Sequence, residues 1–164
     1  MTKAVFGEIE GYPTGSWWPN RTALQQSGVH RPPQAGICGT KKLGAESIVL
    51  SGGYPDDQDS GGEIIYTGRG GQDQITKQQI ADQSFEASGN SALVTAQFLT
   101  REIRVIRGKG GDPKLSPETG FRYDGLFTVV EHWMETGIEG FNMCRFKLVE
   151  LRLCTTTLPN PHLT

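Results

Sequence analysis

Residues 51–71, Ser-Gly-Gly-Tyr-Pro-Asp-Asp-Gln-Asp-Ser-Gly-Gly-Glu-Ile-Ile-Tyr-Thr-Gly-Arg-Gly-Gly, place seven glycines in 21 positions. Glycine permits positive φ and close backbone approach, so the Gly-Gly pairs that bracket Tyr54 and Tyr66 point to backbone moulded around a ligand. Two tyrosines can hold a flat ring between their faces, and Asp57 can accept hydrogen bonds from an amino group. Nearby backbone N–H groups can donate to ring acceptors. Cytosine presents that pattern, an amino donor at N4 beside acceptors at N3 and O2, and the edge is open only when the base leaves the duplex. The same residues also fit a plainer reading, in which the tyrosines are half-buried strand aromatics and the glycine pairs are hairpin turns. Asp57, Asp59 and Gly62 match the first half of a calcium loop, but Gly68 stands where a bidentate glutamate is needed. No metal site is expected.

The chain has 164 residues, enough for one domain with a core of its own, and its 22 glycines suit a turn-rich β fold. The absence of a long apolar run and of a signal-peptide pattern predicts a cytosolic, non-membrane protein. Cys38, Cys144 and Cys154 form no C-x-x-C, so reduced thiols are expected rather than disulfides or zinc. The net charge of −2 argues mildly against a nonspecific polyanion binder. Acids concentrate between 51 and 90, whereas Arg101, Arg104, Arg107, Lys109 and Lys114 leave room for a local basic face.

Taken in order, Ser16-Trp17-Trp18-Pro19 supplies a tryptophan core anchor, and Asn20 caps a short helix over residues 21–27 with Gly28 at its C′ position. Residues 29–39 read as a loop. His30 has no metal-type partner nearby and is read as packed or backbone-bonded. Residues 45–50 and 63–67 are short strands that flank the acidic loop. A helix is expected over 90–99, capped by Asn90, followed by a half-buried strand at 101–107. Residues 126–134 and 141–151 form a final antiparallel pair joined by a turn at 137–140, with Phe127, Trp133, Phe141 and Phe146 in the core. The tail 155–164 is expected to fray.

Beyond this glycine-rich stretch, Phe6-Gly7, Gly28-Val29-His30-Arg31-Pro32, Ala35-Gly36-Ile37, Gln83-Ser84 and Arg122-Tyr123-Asp124-Gly125 stand in a fixed order over roughly residues 6–150. The chain resembles the SET- and RING-associated domain, also called the YDG domain. The resemblance implies an α+β, predominantly β fold, a crescent-like twisted β-barrel with a few short flanking helices, over residues 1–154. It also implies a protein that flips 5-methylcytosine, or 5-hydroxymethylcytosine, out of double-stranded DNA. The base would meet Gly53, Tyr54, Asp57, Tyr66, Thr67 and Arg69, with Asp57 on N4 and the backbone near Asp57 and Thr67 on O2 and N3. Arg69 stands where the family has a small serine against the methyl group, and its guanidinium is expected to turn to phosphate.

DNA contacts are implied for Arg31, Gln34 and Ala35, with Gln34 entering the gap left by the base, and for Lys77, Gln78 and Gln79. The last three stand where CpG-reading members carry Asn-Lys-Arg. Without that arginine the bidentate grip on guanine is absent, so little CpG or hemimethylation preference is expected. A monomer without cofactor or catalytic residues is expected, cytoplasmic and nucleoid-associated in a bacterium or nuclear in a eukaryote. The alternative is the recognition domain of a modification-dependent restriction nuclease whose catalytic domain lies elsewhere. His30, His132 and His162 have no nuclease spacing, and the zinc motif of deaminases is absent.

Overall fold

Strand β7 (Phe121–Thr136) is the longest of the sheet, and its two ends serve different neighbours. Its first half pairs with β1 (Trp17–Trp18) and β6 (Ile103–Gly108), and its second half with β8 (Asn142–Glu150). Outward from β6 lie β3 (Gly44–Leu50) and β2 (Ile37–Thr40). Outward from β8 lie β5 (Glu63–Thr67) and β4 (Gln58–Asp59). The computed structural model describes residues 3–151.

All neighbours are antiparallel except β3 and β6. Parallel strands need a crossover. Here it runs through β4, β5 and helix α2 (Ser88–Leu99), which packs over β2, β3 and β7. The chain is therefore α+β and mostly β, as expected. Among the described residues no pairing joins β2 to β4, so the sheet is an open path of seven strands, with β1 as an eighth on β7.

Strand β3 is buried along its whole length, because it is paired on both sides and covered by α2. One core cluster gathers Ile48, Ile64, Leu93, Phe127 and Phe146, and a second gathers Trp18, Leu24, Val49 and Tyr123. Trp18 is the core anchor; Trp17 is about half exposed and donates its indole N–H to the Thr119 carbonyl. Of the other expected core aromatics, Trp133 and Phe141 are only partly buried. Helix α1 (Arg21–Ser27) ends as its sequence dictates, with the Asn20 side chain accepting from Ala23 N at 2.8 Å and Gly28 at φ 83°.

Two expectations need correction. Helix α2 starts at Ser88, not at Asn90. The Asn90 side chain is fully buried and brackets residue 69, accepting from Arg69 N at 2.8 Å and donating to Arg69 O at 3.0 Å. An asparagine amide can act as both donor and acceptor, and here that capacity goes to a neighbouring turn rather than to the helix end.

Strand β6 is not half-buried but buried throughout, arginines included. Arg104 donates to the carbonyls of Val29, Val5 and Gly7, and Arg107 to Asp59, Gly61 and Asp124. Guanidinium forks can be buried when their donors are met, so alternating charge did not mark a solvent face. Arg101 is also occupied, donating to Leu43 O with its guanidinium over Phe6. These three arginines do not form an exposed basic face.

Cys38 and Cys144 are buried thiols. Burial raises both pKa values, that of Cys144 to about 12. Cys154 and the tail 155–164 lie outside the described residues. None of the described helices is long and apolar enough to cross a membrane.

Candidate nucleic-acid interface

The acidic loop between β3 and β5 is held on both sides. Gly52 has φ 77°, and a Cβ there would lie 2.0 Å from the Gly110 carbonyl oxygen, so only glycine lets the 51–54 and 108–111 turns meet. Asp59 is gripped by Arg107, and Asp56 accepts from Ile138 N at 2.9 Å while its carbonyl accepts from the buried Arg145 at 2.7 Å. With both neighbours fixed, Asp57 is aimed toward β5. Its Oδ1 accepts from Thr67 N at 2.7 Å. The adjacent carboxylates Asp56 and Asp57 thus serve different partners.

Burial pushes the Asp57 carboxyl up to about 6, opposed chiefly by the hydrogen bond from Thr67 and the charge of Arg145. The group is poised for a partner that brings its own donor.

A cavity of about 170 Å³ is lined by Arg21, Gln34, Gly53, Tyr54, Asp57 and Tyr66, together with Gly36, Val49 and Ser51. A larger cavity of about 440 Å³ on the 110–113 side shares Tyr54 and Asp57 but lacks Tyr66. The smaller one brings together both tyrosines and the carboxylate. Tyr66 is 6% exposed, a core residue whose hydroxyl lies 3.3 Å from the Gly36 and Val49 carbonyls. Tyr54 is half-buried, and its hydroxyl accepts from Gly70 N at 3.0 Å. The two readings of the tyrosines therefore merge at Tyr66, which is both a strand aromatic and a cavity wall.

On the rim, Gln34 is exposed at the tip of the 31–35 loop. That loop is fastened from below. Arg21 donates to the carbonyls of Pro32, Gln34 and Ala35, and His30 Nε2 donates to Ala35 O at 2.8 Å. A carbonyl can only accept, so the His30 proton sits on Nε2 and Nδ1 accepts from Ser47 Oγ at 2.7 Å. Burial, first among several causes, pulls the pKa of His30 down to about 3, so the ring stays neutral.

Other expected contacts lie elsewhere. Arg69 is exposed beside the cavity and does not line it. The Thr67 backbone N–H is committed to Asp57 rather than free for a ring acceptor. Arg31 pairs with the buried Glu46, so its charge is neutralised within the protein. Gln79 is buried, its amide donating to Gly70 O at 2.9 Å and Ala81 O at 2.8 Å, because the base of its loop needs a donor between two turns. Only Lys77 and Gln78 of the expected trio are exposed.

Sequence reasoning missed Arg21 and Arg145, and it named Asn90 only as a helix cap and Gln83 only within the Gln83-Ser84 match, not for the contacts they make. Gln83 is buried and bridges Gly68 O at 2.7 Å to Cys144 N at 2.9 Å. The available signal for Gln83 was its place in the Gln83-Ser84 match; the Ser88-Gly89-Asn90-Ser91 run around Asn90 reads as a helix start and gave no sign of its contact with residue 69. Nothing local marked the two arginines.

A family model described as SAD/SRA domain matches residues 5–152. The UHRF1-like protein of Cryptococcus neoformans var. grubii is 43% identical over 153 residues, which cover 87% of this chain and 45% of that protein. The chain thus spans less than half of that relative. Among solved structures, the modification dependent TagI restriction endonuclease superimposes with a TM-score of 0.89 at 51% identity, covering 92% of this chain and 54% of that one. The SUVH5 SRA domain in complex with methylated CHH DNA superimposes with a TM-score of 0.75 at 36% identity, covering 90% and 94%. The family model matches nearly the whole described chain, and the relatives agree with it: the chain belongs to the SAD/SRA domain family.

Proposed function

We propose that this domain is a non-enzymatic reader of 5-methylcytosine in double-stranded DNA, which it binds by receiving the flipped base in the cavity between Tyr54 and Tyr66. The observation that carries the reading is Asp57 on the wall of that cavity beside both tyrosines, held by Thr67 N and placed to accept from the N4 amino group. Stacking contributes about 1–3 kcal/mol per base, which together with the carboxylate contact offsets an unstacking cost of a few kcal/mol. Gln34, on its fastened loop, fills the space the base leaves and can pair with the orphaned guanine. Exposed Arg69 and Lys77 beside the cavity meet phosphate. The likeness to SUVH5 SRA bound to methylated CHH DNA supports recognition outside CpG.

A second reading draws on the likeness to the modification dependent TagI restriction endonuclease, about half of which this chain covers. In it the domain selects the modified site and a nuclease in the same protein cuts. Both readings require the same binding step. Titration of duplexes that differ only in carrying cytosine, 5-methylcytosine or 5-hydroxymethylcytosine at one position tests it. At least tenfold tighter binding of a modified duplex is expected, and equal affinities at fixed salt would overturn the proposal.

A further inference from the structure

The loop 72–79 is tied to the rim of the base cavity at both ends. Gln72 donates to Gly53 O at 2.9 Å, and Gln79 donates to Gly70 O, whose own N–H bonds the Tyr54 hydroxyl. A bridge between Gln72 and Gln79 closes the base. The tip is equally determined. Asp73 Oδ1 accepts from Ile75 N and Thr76 N, both at 2.8 Å, Asp73 O accepts from Lys77 N at 2.9 Å, and Asp73 N donates to Gln78 O at 2.8 Å. Lys77 completes the turn at φ 62°.

This loop holds Ile75 91% exposed, further out than any other large apolar side chain of the described residues. A single surface isoleucine is ordinary on a soluble protein. A different situation arises when one aspartate spends its side chain and backbone on fixing the turn beneath it, for the apolar group then cannot relax back toward the protein. It can leave water only against a partner, and the two ends of the loop that carries it are anchored at Gly53 and Gly70, on the rim of the base cavity.

Resting on the base-flipping reading above, we propose that Ile75 is an apolar DNA contact, buried on binding against the bases next to the flipped nucleotide. When the base sits in the cavity, its sugar and phosphates lie at the mouth, which brings the neighbouring base pairs to the loops on the rim. Isoleucine has no donor or acceptor and gains only by covering apolar surface, such as a base face or a pyrimidine C5-methyl group. Lys77, two residues on, has the opposite character and meets phosphate.

Salt separates these two roles. Ile75→Ala, Ile75→Val and Lys77→Ala are titrated beside wild type with modified and unmodified duplexes over a range of salt. Ile75→Ala is expected to weaken modified-DNA binding by about fivefold, with Ile75→Val close to wild type. Its salt slope should match wild type, whereas Lys77→Ala should lower the slope by about one. Melting temperatures of all three should stay at the wild-type value, since the side chains are exposed.

If wild type discriminates modified DNA and Ile75→Ala binds equally well, this inference alone is overturned. A loss in Ile75→Ala that comes with a shallower salt slope also overturns it, because the loss would then belong to displaced charge. A wild type that fails to discriminate would remove the base-flipping reading, and this inference with it.

Discussion

Arg107 grips Asp59 through two parallel hydrogen bonds, Nε to Oδ2 at 2.7 Å and Nη2 to Oδ1 at 2.8 Å, just two residues beyond the carboxylate of Asp57. Its remaining Nη1 donates at 2.9 Å to Asp124, which Arg122 also holds. The middle residue of Tyr123-Asp124-Gly125 is thus connected to the base cavity through a buried chain of charges on β7, β6 and β4. Burial would lower the pKa of Arg107, but Asp59 and Asp124 outweigh it and raise the value.

Removing one member of such a buried pair strands the other. Arg107→Met is expected to cost roughly 3–5 kcal/mol of stability, because Asp59 is left without its counter-charge. Arg107→Lys keeps the charge but not the fork, so a smaller loss is expected, together with weaker discrimination of modified DNA as the Asp57 loop loosens. Thermal melts paired with DNA titrations check both, and a folded Arg107→Lys with wild-type melting and binding would contradict the linkage.

Asp57 sets function against stability. Its folded pKa, about 6, lies above the ordinary aspartate value of 3.8, so the folded state holds the proton more tightly than the unfolded one. The associated stabilisation is full below about pH 4 and is lost as pH rises through 6, leaving a cost of roughly 2–3 kcal/mol at pH 7. Asp57→Asn keeps an acceptor for Thr67 N and removes the charge. It should melt higher than wild type at pH 7, with the advantage fading toward pH 4, yet lose most modified-DNA affinity because its amide N–H faces the base amino group. Wild-type affinity should fall as pH drops below about 6.

The two tyrosines should behave differently. Tyr66 is packed in the core, so Tyr66→Ala is expected to destabilise by about 3–5 kcal/mol, whereas Tyr66→Phe gives up only two long hydrogen bonds. Tyr54 is half-buried, and Tyr54→Ala should keep the fold while weakening modified-DNA binding by about 1–3 kcal/mol. Tyr54→Phe orphans the Gly70 N–H and should cost affinity only a few-fold. Melting and titration of the four variants separate packing from stacking; a Tyr54→Ala variant that still distinguishes methylated from unmethylated DNA at full affinity would rule out the ring contact.

Sequence context should matter little. With Gln79 turned inward, the loop offers guanine no rigid guanidinium fork: Lys77 is a point charge on a flexible stem, and the amide of Gln78 matches adenine better than guanine. Affinities for methylated CpG, CpA and CpT duplexes, and for hemi- and fully methylated sites, should lie within a few-fold. A preference near a hundredfold for hemimethylated CpG would show that another residue reads the guanine, and comparison with Gln34→Ala would identify whether it is Gln34.

The sequence by itself determined the elements whose signals are local. Asn20 and Gly28 bound α1 because a cap and a left-handed C′ residue act within one turn, and the β-branched run at 63–67 is β5 to the residue. It also marked Tyr54, Asp57 and Tyr66 as one group, since glycine spacing and residue type are visible without a fold, and the three do line one cavity. What the fold alone decided are partnerships between residues far apart in the chain. Arg104 and Arg107 looked like a solvent face because alternation reports exposure only when charges are unpaired; carbonyls near the N-terminus and Asp59 take them instead. Arg21 reaches the cavity, and Asn90 clasps residue 69 rather than its own helix, through contacts across 11 to 21 residues. A guanidinium or amide offers several hydrogen bonds in fixed directions, and which groups meet them is settled only when the sheet brings distant backbone within reach.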